Sequence, residues 1–573
     1  MQTIDKSQAI EILREIAILL ELKNENVFKI RAFENAARVL EGTPSDLKTL
    51  IETKELENLK GIGEHISKII HDLYEKEKSV DYEKLRKGFP DSLFELFRIP
   101  GLGAKRIKVL YEKLHVKSVG ELEYACKENR LLDLDGFGAK SQEKILEGIG
   151  LVKKSQGHFR IDFALAEFRK LVQYLKKQKG IMKIEVAGSL RRRKEIIKDI
   201  DILVTAKDAE AIHNAFIRYP EVQSVAAHGD TKSSIVLKSG INCDLRTVAE
   251  DEFPYALYYF TGSKEHNVAV RTLAKKKNIK INEYGLFKGT RKIACKDEAE
   301  IFAAAGLHYI PPEARENQGE IEWAVKKEFP PLVEQNQIRG VFHVHSTYSD
   351  GVASLEDMVA QAQKMGWDYV GISDHSQSAK YARGLEPERV KKQWKEIEVL
   401  QKRFKIRIFR GIESDILGDG KLDYPDSILA QFDFVIGSVH SRFNLPEKEM
   451  TTRIARAMEN KYLTFVGHPT GRLLLAREPY PVDLQKLIDL AKKMDVVMEL
   501  NANPHRLDLD WRMCRYAKEK KVLMSINPDA HSVEGLGDVT YGVGIARKGW
   551  LEKKDVVNAL PLPEIEKFLK KRN

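Results

Sequence analysis

Short apolar segments recur through the C-terminal part of this chain, and each one runs directly into a histidine, aspartate or glutamate. Successive segments begin roughly 30 residues apart, with helix-length stretches between them. This β/α spacing predicts a parallel sheet or barrel. The segments are 341–350, 368–375, 407–413, 432–440, 463–469, 496–500 and 522–531.

In a β/α barrel, the C-terminal ends of the strands meet on one face, where the chemistry usually lies. That face would gather six imidazoles and three carboxylates: His343, His345, Asp350, His375, Glu413, His440, His468, Asp529 and His531. So many polar side chains can share a small volume only if positive ions neutralise and order them. We therefore expect a site for more than one metal ion.

The strand-end residues form the motifs HxH(x4)D, DH, GIE, GSVH, GHP and PDAH. Together they resemble the PHP family of metal-dependent phosphoesterases over residues 338–573. The resemblance implies a distorted seven-stranded β/α barrel that binds up to three ions. One ion would be held by His343, His345, Glu413 and Asp529, a second by Glu413, His440 and His468, and a third by Asp350, His375 and His531. Mixed imidazole and carboxylate ligands suit Mn²⁺ or Zn²⁺ better than Mg²⁺.

Three segments near the N-terminus share a Gly-apolar-Gly pattern: Gly61-Ile62-Gly63, Gly101-Leu102-Gly103 and Gly136-Phe137-Gly138. Each leads into a helical stretch with a basic residue nearby, namely Lys68, Lys105 and Lys140. Two glycines around an apolar anchor permit a tight turn whose free amides bind phosphate without reading bases. The segments resemble helix-hairpin-helix motifs, which implies salt-sensitive DNA binding that is independent of sequence.

The middle of the chain contains a carboxylate pair on a predicted strand. A strand at 184–187 is followed by Gly188-Ser189, a basic run at 191–194 and a strand at 199–204. Because residues i and i+2 of a strand project to the same side, Asp199 and Asp201 present two carboxylates together. A neighbouring strand at 241–245 would place Asp244 beside them. Three carboxylates are what two Mg²⁺ ions need for phosphoryl transfer.

The spacing GS(x9)DxD, together with the motifs at 243–246, 259–263 and 281–284, resembles the X family of DNA polymerases. The polymerase beta-like core of that family would cover about residues 1–317. The resemblance makes Asp199, Asp201 and Asp244 the metal ligands and catalytic carboxylates, and Gly188, Ser189 and Arg192 the triphosphate contacts. It places Tyr259, Phe260 and Gly262 beside the incoming nucleotide, Asn267 at its base, Arg271 on the template strand, and Arg246 where it orients Asp244.

The first helical domain of that family holds the 5′ end of a gap, and here Lys29 and His65 stand at the expected phosphate positions. The lyase nucleophile, where the family has one, is a lysine, but the matching residue is Ile69. Lys68 is adjacent, yet one residue along a helix turns a side chain by about 100°. We therefore expect 5′-phosphate binding, with a lyase step that is weak or absent.

Length and charge are consistent with this interpretation. The 573 residues predict several domains, and a net charge of +10 favours an acidic partner. The four cysteines are scattered, so neither a disulfide framework nor a zinc ribbon is indicated. The N-terminus lacks a signal pattern, and no apolar run approaches the ~18 residues of a membrane span. We expect a cytoplasmic monomer without a membrane partner.

We predict a multidomain α/β chain. Its parts are a helical gap-binding domain (1–88), a helix-hairpin-helix domain (89–155), a nucleotidyltransferase palm (156–250), a nucleotide-selection subdomain (251–317), a linker (318–337) and the PHP domain (338–573). The predicted function is repair synthesis in gapped or nicked double-stranded DNA from dNTPs, with 3′-5′ exonuclease and sometimes abasic-site cleavage in the PHP domain. Two alternatives stay open, in which the barrel hydrolyses small phosphate esters or only supports the polymerase structurally.

Overall fold

The chain divides into two compact units, Met1–Val152 and Lys153–Asn573. The computed structural model describes residues 4–43, 45–76, 78–99, 102–132, 134–153 and 157–571. Gly101, which belongs to the second predicted hairpin, lies outside the described residues. Within the described ranges, no helix has both the length and the apolar character needed to cross a membrane.

The first unit is helical. Its helices are α1 (Lys6–Leu22), α2 (Val27–Gly42), α3 (Leu47–Glu52), α4 (Glu64–Lys76), α5 (Val80–Arg86), α6 (Asp91–Phe94), α7 (Ala104–Leu114), α8 (Val119–Lys127) and α9 (Ala139–Lys153), with 3₁₀ turns at Leu56–Asn58 and Glu95–Arg98. Helix α1 begins at Asp5, where a capping box with Gln8 satisfies amides of the first turn. The unit contains two apolar cores, one formed mainly by α1 to α4 and one by α6 to α9.

The second unit begins with the predicted palm. Its elements are β1 (Phe159–Arg160), α10 (Ile161–Leu175), β2 (Ile181–Val186), α11 (Gly188–Arg191), β3 (Ile196–Ile197), β4 (Asp199–Ala206), α12 (Ala209–Ile217), β5 (Val222–His228), β6 (Lys232–Leu237) and β7 (Asn242–Thr247). Five strands form one sheet in the order β2-β4-β7-β6-β5. Strand β4 lies parallel to β7 and antiparallel to β2. Its residues 202–205 are buried on both faces, so the strand reads as a continuous apolar run.

Next come two helices, a three-stranded sheet and two further helices. They are α13 (Phe253–Thr261), α14 (Lys264–Lys276), β8 (Ile279–Asn282), β9 (Gly285–Lys288), β10 (Arg291–Ile293), α15 (Glu298–Ala305) and α16 (Glu320–Lys326), with 3₁₀ turns at Pro312–Ala314 and Gln335–Gln337. Helix α16 lies inside the predicted linker. Ile321 and Ala324 of this helix are buried in the same core as Tyr258 and Phe302. The linker sequence therefore packs as part of the second unit.

The remaining residues form the barrel. Its elements are β11 (Gly340–Val341), α17 (Leu355–Lys364), β12 (Tyr369–Ile372), α18 (Pro387–Arg403), β13 (Arg407–Asp415), α19 (Asp426–Leu429), β14 (Phe434–Ser438), α20 (Glu447–Met458), β15 (Phe465–Val466), α21 (Leu484–Met494), β16 (Val497–Asn501), α22 (Trp511–Glu519), β17 (Met524–Asn527), α23 (Val539–Lys548) and α24 (Leu562–Lys570). All seven strands are parallel and follow chain order. A bridge between Val344 and Ala530 joins the first strand region to the last.

Aromatic side chains fill the barrel interior. Phe342 packs against Phe434 and Phe465, with ring centroids 5.2 Å and 5.1 Å away. Ile565 and Leu569 of α24 belong to the same core. The outer barrel residues share a second, larger core with the palm, in which Ile200 and Leu245 belong to the same apolar cluster as residues of the barrel. Palm and barrel therefore share one continuous apolar core.

Candidate metal centres and nucleic-acid interface

The described hairpins of the first unit have the same local geometry. In each, the apolar residue between the glycines is buried, and its amide donates to the carbonyl three residues earlier. The bonds are Ile62 to Leu59 at 3.0 Å, Leu102 to Ile99 at 3.1 Å and Phe137 to Leu134 at 3.0 Å. The helix that follows starts directly after the second glycine in all three cases. Glycine offers no side chain to cap the first helical amides, so these backbone groups suit phosphate.

The space around the second glycine of each hairpin is consistent with phosphate binding. A Cβ atom built on Gly63, Gly103 or Gly138 meets no heavy atom within 4 Å. Gly136 is equally open and has a φ of +81°, whereas a Cβ on Gly61 would lie 2.6 Å from Asn35. The second glycines therefore expose backbone on the surface, and Gly61 is required by close packing.

The candidate 5′-phosphate residues lie on the surface of α2 and α4. Lys29 is exposed, with its ammonium 3.7 Å from Glu25, and His65 lies 3.4 Å from Asp81. Lys68 is also exposed, whereas Ile69 is buried in the first core. The two neighbours thus lie on different faces of α4, as the helical rotation predicts.

In the palm, strand pairing brings two of the predicted carboxylates side by side. Asp201 of β4 is the direct partner of Asp244 of β7, and Asp199 is paired with Asn242. Lys232 donates to Asp244 at 2.7 Å. Among the described residues, every group of metal-type ligands whose atoms all lie within 4.8 Å is in the barrel, so the three palm aspartates are more widely spaced.

The surroundings of the Asp201 carboxylate disfavour its charged form. Burial raises the pKa of Asp201 to about 6, and the charges of Asp199 and Asp244 act in the same direction. Gly188 makes the close approach possible. A Cβ atom on this residue would lie 2.0 Å from Oδ2 of Asp201, and its φ is +60°. The GS motif therefore needs glycine for both conformation and space.

The predicted triphosphate residue Arg192 is buried against the end of α13. Its Nη1 donates to the Thr261 carbonyl at 2.5 Å, and its Nε donates to Glu316 at 3.2 Å. A Cβ on Gly262 would lie 3.1 Å from Nη1 of Arg192. Ser189 is the second residue of α11, in the same short turn.

The predicted nucleotide-facing residues are linked to one another. Phe260 carries the guanidinium of Arg246 over its ring at 4.4 Å and meets Tyr259 edge-on at 5.3 Å. The Asn267 amide donates to the Tyr259 carbonyl at 2.7 Å, and Arg271 donates to the Asn267 carbonyl at 3.3 Å. Asp201, Asp244, Arg246 and Phe260 line one small pocket.

In the barrel, the nine predicted ligands converge. Eight of them fall into three overlapping groups, which are His345, Asp350, His375 and His531; His343, His345 and Asp529; and His375, Glu413 and His440. The ninth, His468, lies beside Glu413. His345 and His375 each belong to two groups, so the predicted ligand sets, which already shared Glu413, form one continuous cluster. Several strands are shorter than the sequence segments suggested, and the ligands follow them in loops.

Glu413 lies at the centre of the cluster. Its Oε1 is 3.3 Å from Nε2 of His343, 3.3 Å from Nε2 of His440 and 2.9 Å from Nε2 of His468. Its Oε2 is 2.9 Å from Nδ1 of His375. One carboxylate that faces four imidazoles is suited to bridging metal ions.

The nitrogen and oxygen atoms of the cluster are better placed to bind metal ions than to hydrogen-bond with one another. Within the described part of the chain, Nε2 of His343, both ring nitrogens of His345 and of His375, and Oε2 of Glu413 are buried without a hydrogen bond of good geometry. Buried polar atoms are normally hydrogen-bonded. The convergence of such atoms on one volume indicates cations as their missing partners.

Two residues that sequence reasoning missed orient the imidazoles. Nδ1 of His343 lies 2.7 Å from Glu499, and Nδ1 of His440 lies 2.5 Å from Asp415. A carboxylate at Nδ1 keeps that nitrogen protonated and points the Nε2 lone pair into the cluster. Glu499 also ends an apolar segment, 496–500, so the strand-end pattern that identified the other ligands already contained the signal for it.

The charges of the cluster shift neighbouring imidazoles in opposite directions. Burial lowers the pKa of His343, but Asp529 and Glu499 outweigh burial and raise it well above the usual value. Burial lowers the pKa of His345, and the adjacent His531 and His375 lower it further. Two of the ligands, His468 and Asp529, have φ values of +23° and +51°. Backbone strain of this kind is typical of functional sites.

Family comparisons agree with this division into parts. Residues 4–79 match a helix-hairpin-helix domain, residues 93–150 a SAM-like helix-hairpin-helix tandem, residues 256–316 a DNA polymerase beta thumb and residues 342–503 a PHP domain. Together with the paired palm aspartates and the barrel cluster, these matches define the class as polymerase beta-like with an appended PHP barrel.

Full-length similarity places the chain within that class. It is 42% identical to the DNA polymerase/3′-5′ exonuclease PolX of Bacillus subtilis (strain 168) over 99% of this chain and all of that protein. The chain therefore belongs to the X family of DNA polymerases that carry a PHP domain, which confirms the fold class and the three resemblances seen in the motifs. Membership implies DNA binding and divalent metal ions.

Shorter relatives match parts of the chain. The repair DNA polymerase X of African swine fever virus (strain Badajoz 1971 Vero-adapted) is 31% identical over 28% of this chain and 95% of its own length. A probable phosphatase of Thermoanaerobacter sp. (strain X514) is 25% identical over 40% of this chain and 94% of its own length.

Proposed function

We propose that this chain is a DNA polymerase that fills short gaps during repair, with a 3′-5′ exonuclease in its PHP barrel. The observation that carries the proposal is the presence of two separate carboxylate-rich centres in one unit. One is the Asp201–Asp244 pair in the palm, and the other is the cluster around Glu413. The full-length relative carries both activities in its name.

In the palm, Asp199, Asp201 and Asp244 would hold Mg²⁺. Two such ions would neutralise the attacking primer 3′-oxygen and the leaving diphosphate. Ser189 and Arg192 would bind the triphosphate of the incoming dNTP, and Gly188 would keep the adjacent backbone close to it. Tyr259 and Phe260 would lie along its sugar, with Asn267 at the base and Arg271 on the template strand. Arg246 is two residues from Asp244 on the same strand face and would orient that carboxylate.

In the barrel, the nine candidate ligands would hold Mn²⁺ or Zn²⁺, up to three ions. Ions of this type supply an activated water and stabilise charge on a phosphodiester. Glu499 and Asp415 would hold a proton on Nδ1 of His343 and His440, so that Nε2 is the ligating nitrogen of each. The group released would be a nucleoside monophosphate from the 3′ end of a primer.

The hairpins, with Lys29 and His65, would grip the backbone of nicked or gapped double-stranded DNA. The open glycines Gly63, Gly103 and Gly138 support phosphate contact at three places. A polymerase extends only a free 3′-hydroxyl, so a fused nuclease would clear blocked or misinserted ends. We propose that one chain carries out both steps as a monomer.

The test is a time course on a 5′-labelled primer in a one-nucleotide gap, with and without dNTPs. Asp201→Ala should abolish extension and leave Mn²⁺-dependent trimming intact. His345→Ala should abolish trimming and leave extension intact. If Asp201→Ala also lost trimming while its thermal unfolding was unchanged, the two centres would not be independent and the proposal would be wrong.

The likeness to a probable phosphatase favours one second candidate, in which the barrel hydrolyses small phosphate esters. Release of phosphate from p-nitrophenyl phosphate, compared between wild type and His345→Ala, tests it. Turnover that exceeds primer trimming and disappears in the variant would favour this candidate over the exonuclease.

A further inference from the structure

One barrel helix, α23, packs against the polymerase part of the second unit. A Cβ atom on Gly544 would lie 3.3 Å from Cγ of Arg193, so the helix backbone touches the basic run that follows the GS motif. Arg547 donates to Glu313 at 2.7 Å. The C-terminal turn of α23 therefore faces the predicted triphosphate-binding segment.

Lys548 ends this helix and is 1% exposed. Its ammonium donates to the Glu316 carboxylate, to the Arg192 carbonyl at 3.2 Å and to the Glu313 carbonyl at 3.3 Å. All three acceptors belong to the polymerase part, although Lys548 belongs to the barrel. The three hydrogen bonds of this buried ammonium are all made to another domain, so Lys548 is placed to influence that domain.

The Glu316 carboxylate is shared between two cations. Its Oε1 accepts from Lys548 and also from Nε of Arg192 at 3.2 Å. Burial raises the pKa of Glu316, but the charges of Lys548 and Arg192 outweigh it and hold that pKa below its usual range. Glu316 is therefore an anion whose negative charge is divided between a barrel lysine and the predicted triphosphate ligand.

We propose that Lys548 is a positioning residue for nucleotide addition. By sharing Glu316 with Arg192, it sets how readily the Arg192 guanidinium turns from that carboxylate to the triphosphate of a dNTP. The inference rests on the proposed polymerase function and deepens it, because it connects a barrel residue to nucleotide binding.

The direction of the effect follows from competition for one anion. Without Lys548, the whole charge of Glu316 acts on Arg192, and a charge-assisted hydrogen bond becomes stronger. Arg192 then leaves Glu316 less readily, so the KM for dNTP rises. Removing the charge of Glu316 as well removes the restraint on Arg192, so the KM of the double variant should return towards the wild-type value. Loss of one charge-assisted hydrogen bond changes an equilibrium by on the order of tenfold.

The experiment measures kcat and KM for dNTP in gap filling by the full-length protein. The variants are Lys548→Met, Glu316→Gln and the two together. Lys518→Met is the matched control, because that barrel lysine donates to Trp550 and Glu552 of the barrel itself. We expect Lys548→Met to raise KM about tenfold with little change in kcat, the double variant to return KM towards wild type, and the control to leave it unchanged.

The outcomes separate positioning from simple support. A fall in kcat together with a rise in KM in Lys548→Met, without rescue by Glu316→Gln, would overturn the inference and leave Lys548 as a structural contact. An equal rise in KM in Lys518→Met would also overturn it. If Lys548→Met is unstable, a lower KM in Glu316→Gln alone still supports the inference, and an unchanged KM still overturns it. Absence of gap filling in the wild type would instead refute the proposed function.

Discussion

Two palm glycines allow backbone strain to be separated from a steric clash at the catalytic carboxylates. Gly188 and Gly180 both have positive φ values, +60° and +92°. A Cβ atom on Gly180 would make only ordinary contact, 3.7 Å from Lys207, whereas one on Gly188 would lie 2.0 Å from Oδ2 of Asp201. Gly188→Ala and Gly180→Ala therefore share the conformational cost, and only the first displaces Asp201.

The size of each effect follows from these distances. A left-handed conformation costs alanine about 1–2 kcal/mol, so both variants should lose that much stability. In Gly188→Ala, the Asp201 oxygen must also move by about 1.4 Å to reach the 3.4 Å of an ordinary contact. Misplacement of a catalytic group by about 1 Å can cost about a hundredfold in rate, or about 2.7 kcal/mol.

Single-turnover nucleotide addition at saturating dNTP measures this loss, and thermal unfolding measures stability. We expect Gly188→Ala to add nucleotides about a hundredfold more slowly than Gly180→Ala. Trimming by the barrel should be equal in the two variants, because both changes lie in the palm. If the two variants added nucleotides at rates within about threefold while unfolding alike, the role of Asp201 would be refuted.

Three further predictions concern the other parts. Glu499→Gln should weaken metal binding in the barrel about 10–100-fold by replacing the carboxylate that orients His343 with a neutral amide, and metal titration followed by calorimetry checks it. Gly103→Val should keep the fold, since its Cβ meets open space, but weaken binding to gapped DNA and reduce its salt dependence in fluorescence anisotropy. Borohydride trapping on DNA with a 5′-deoxyribose phosphate should be weak, because Ile69 has no amine and Lys68 is exposed; efficient trapping that Lys68→Ala abolishes would contradict this.

Local pattern was sufficient for the parts whose geometry is set by a few neighbouring residues. A Gly-apolar-Gly segment forms the same turn in the described hairpins, because the apolar anchor must be buried and the glycines must bend the chain. Strand-end histidines and carboxylates converge in the barrel because parallel strands direct their C-terminal ends to one face. The nine candidate ligands could be predicted from the sequence for this reason.

Contacts between distant segments required the tertiary structure. Lys548 and Glu316 are 232 positions apart, and no periodicity relates a barrel helix to the predicted nucleotide-selection subdomain. The orientation of His343 by Glu499 depends on two strands brought together across 156 positions. Sequence alone determined which candidate side chains lie at strand ends and turns, because strand and turn periodicity are local. Only the packing of palm, nucleotide-selection subdomain and barrel decided which groups contact them, because those partners come from separate elements.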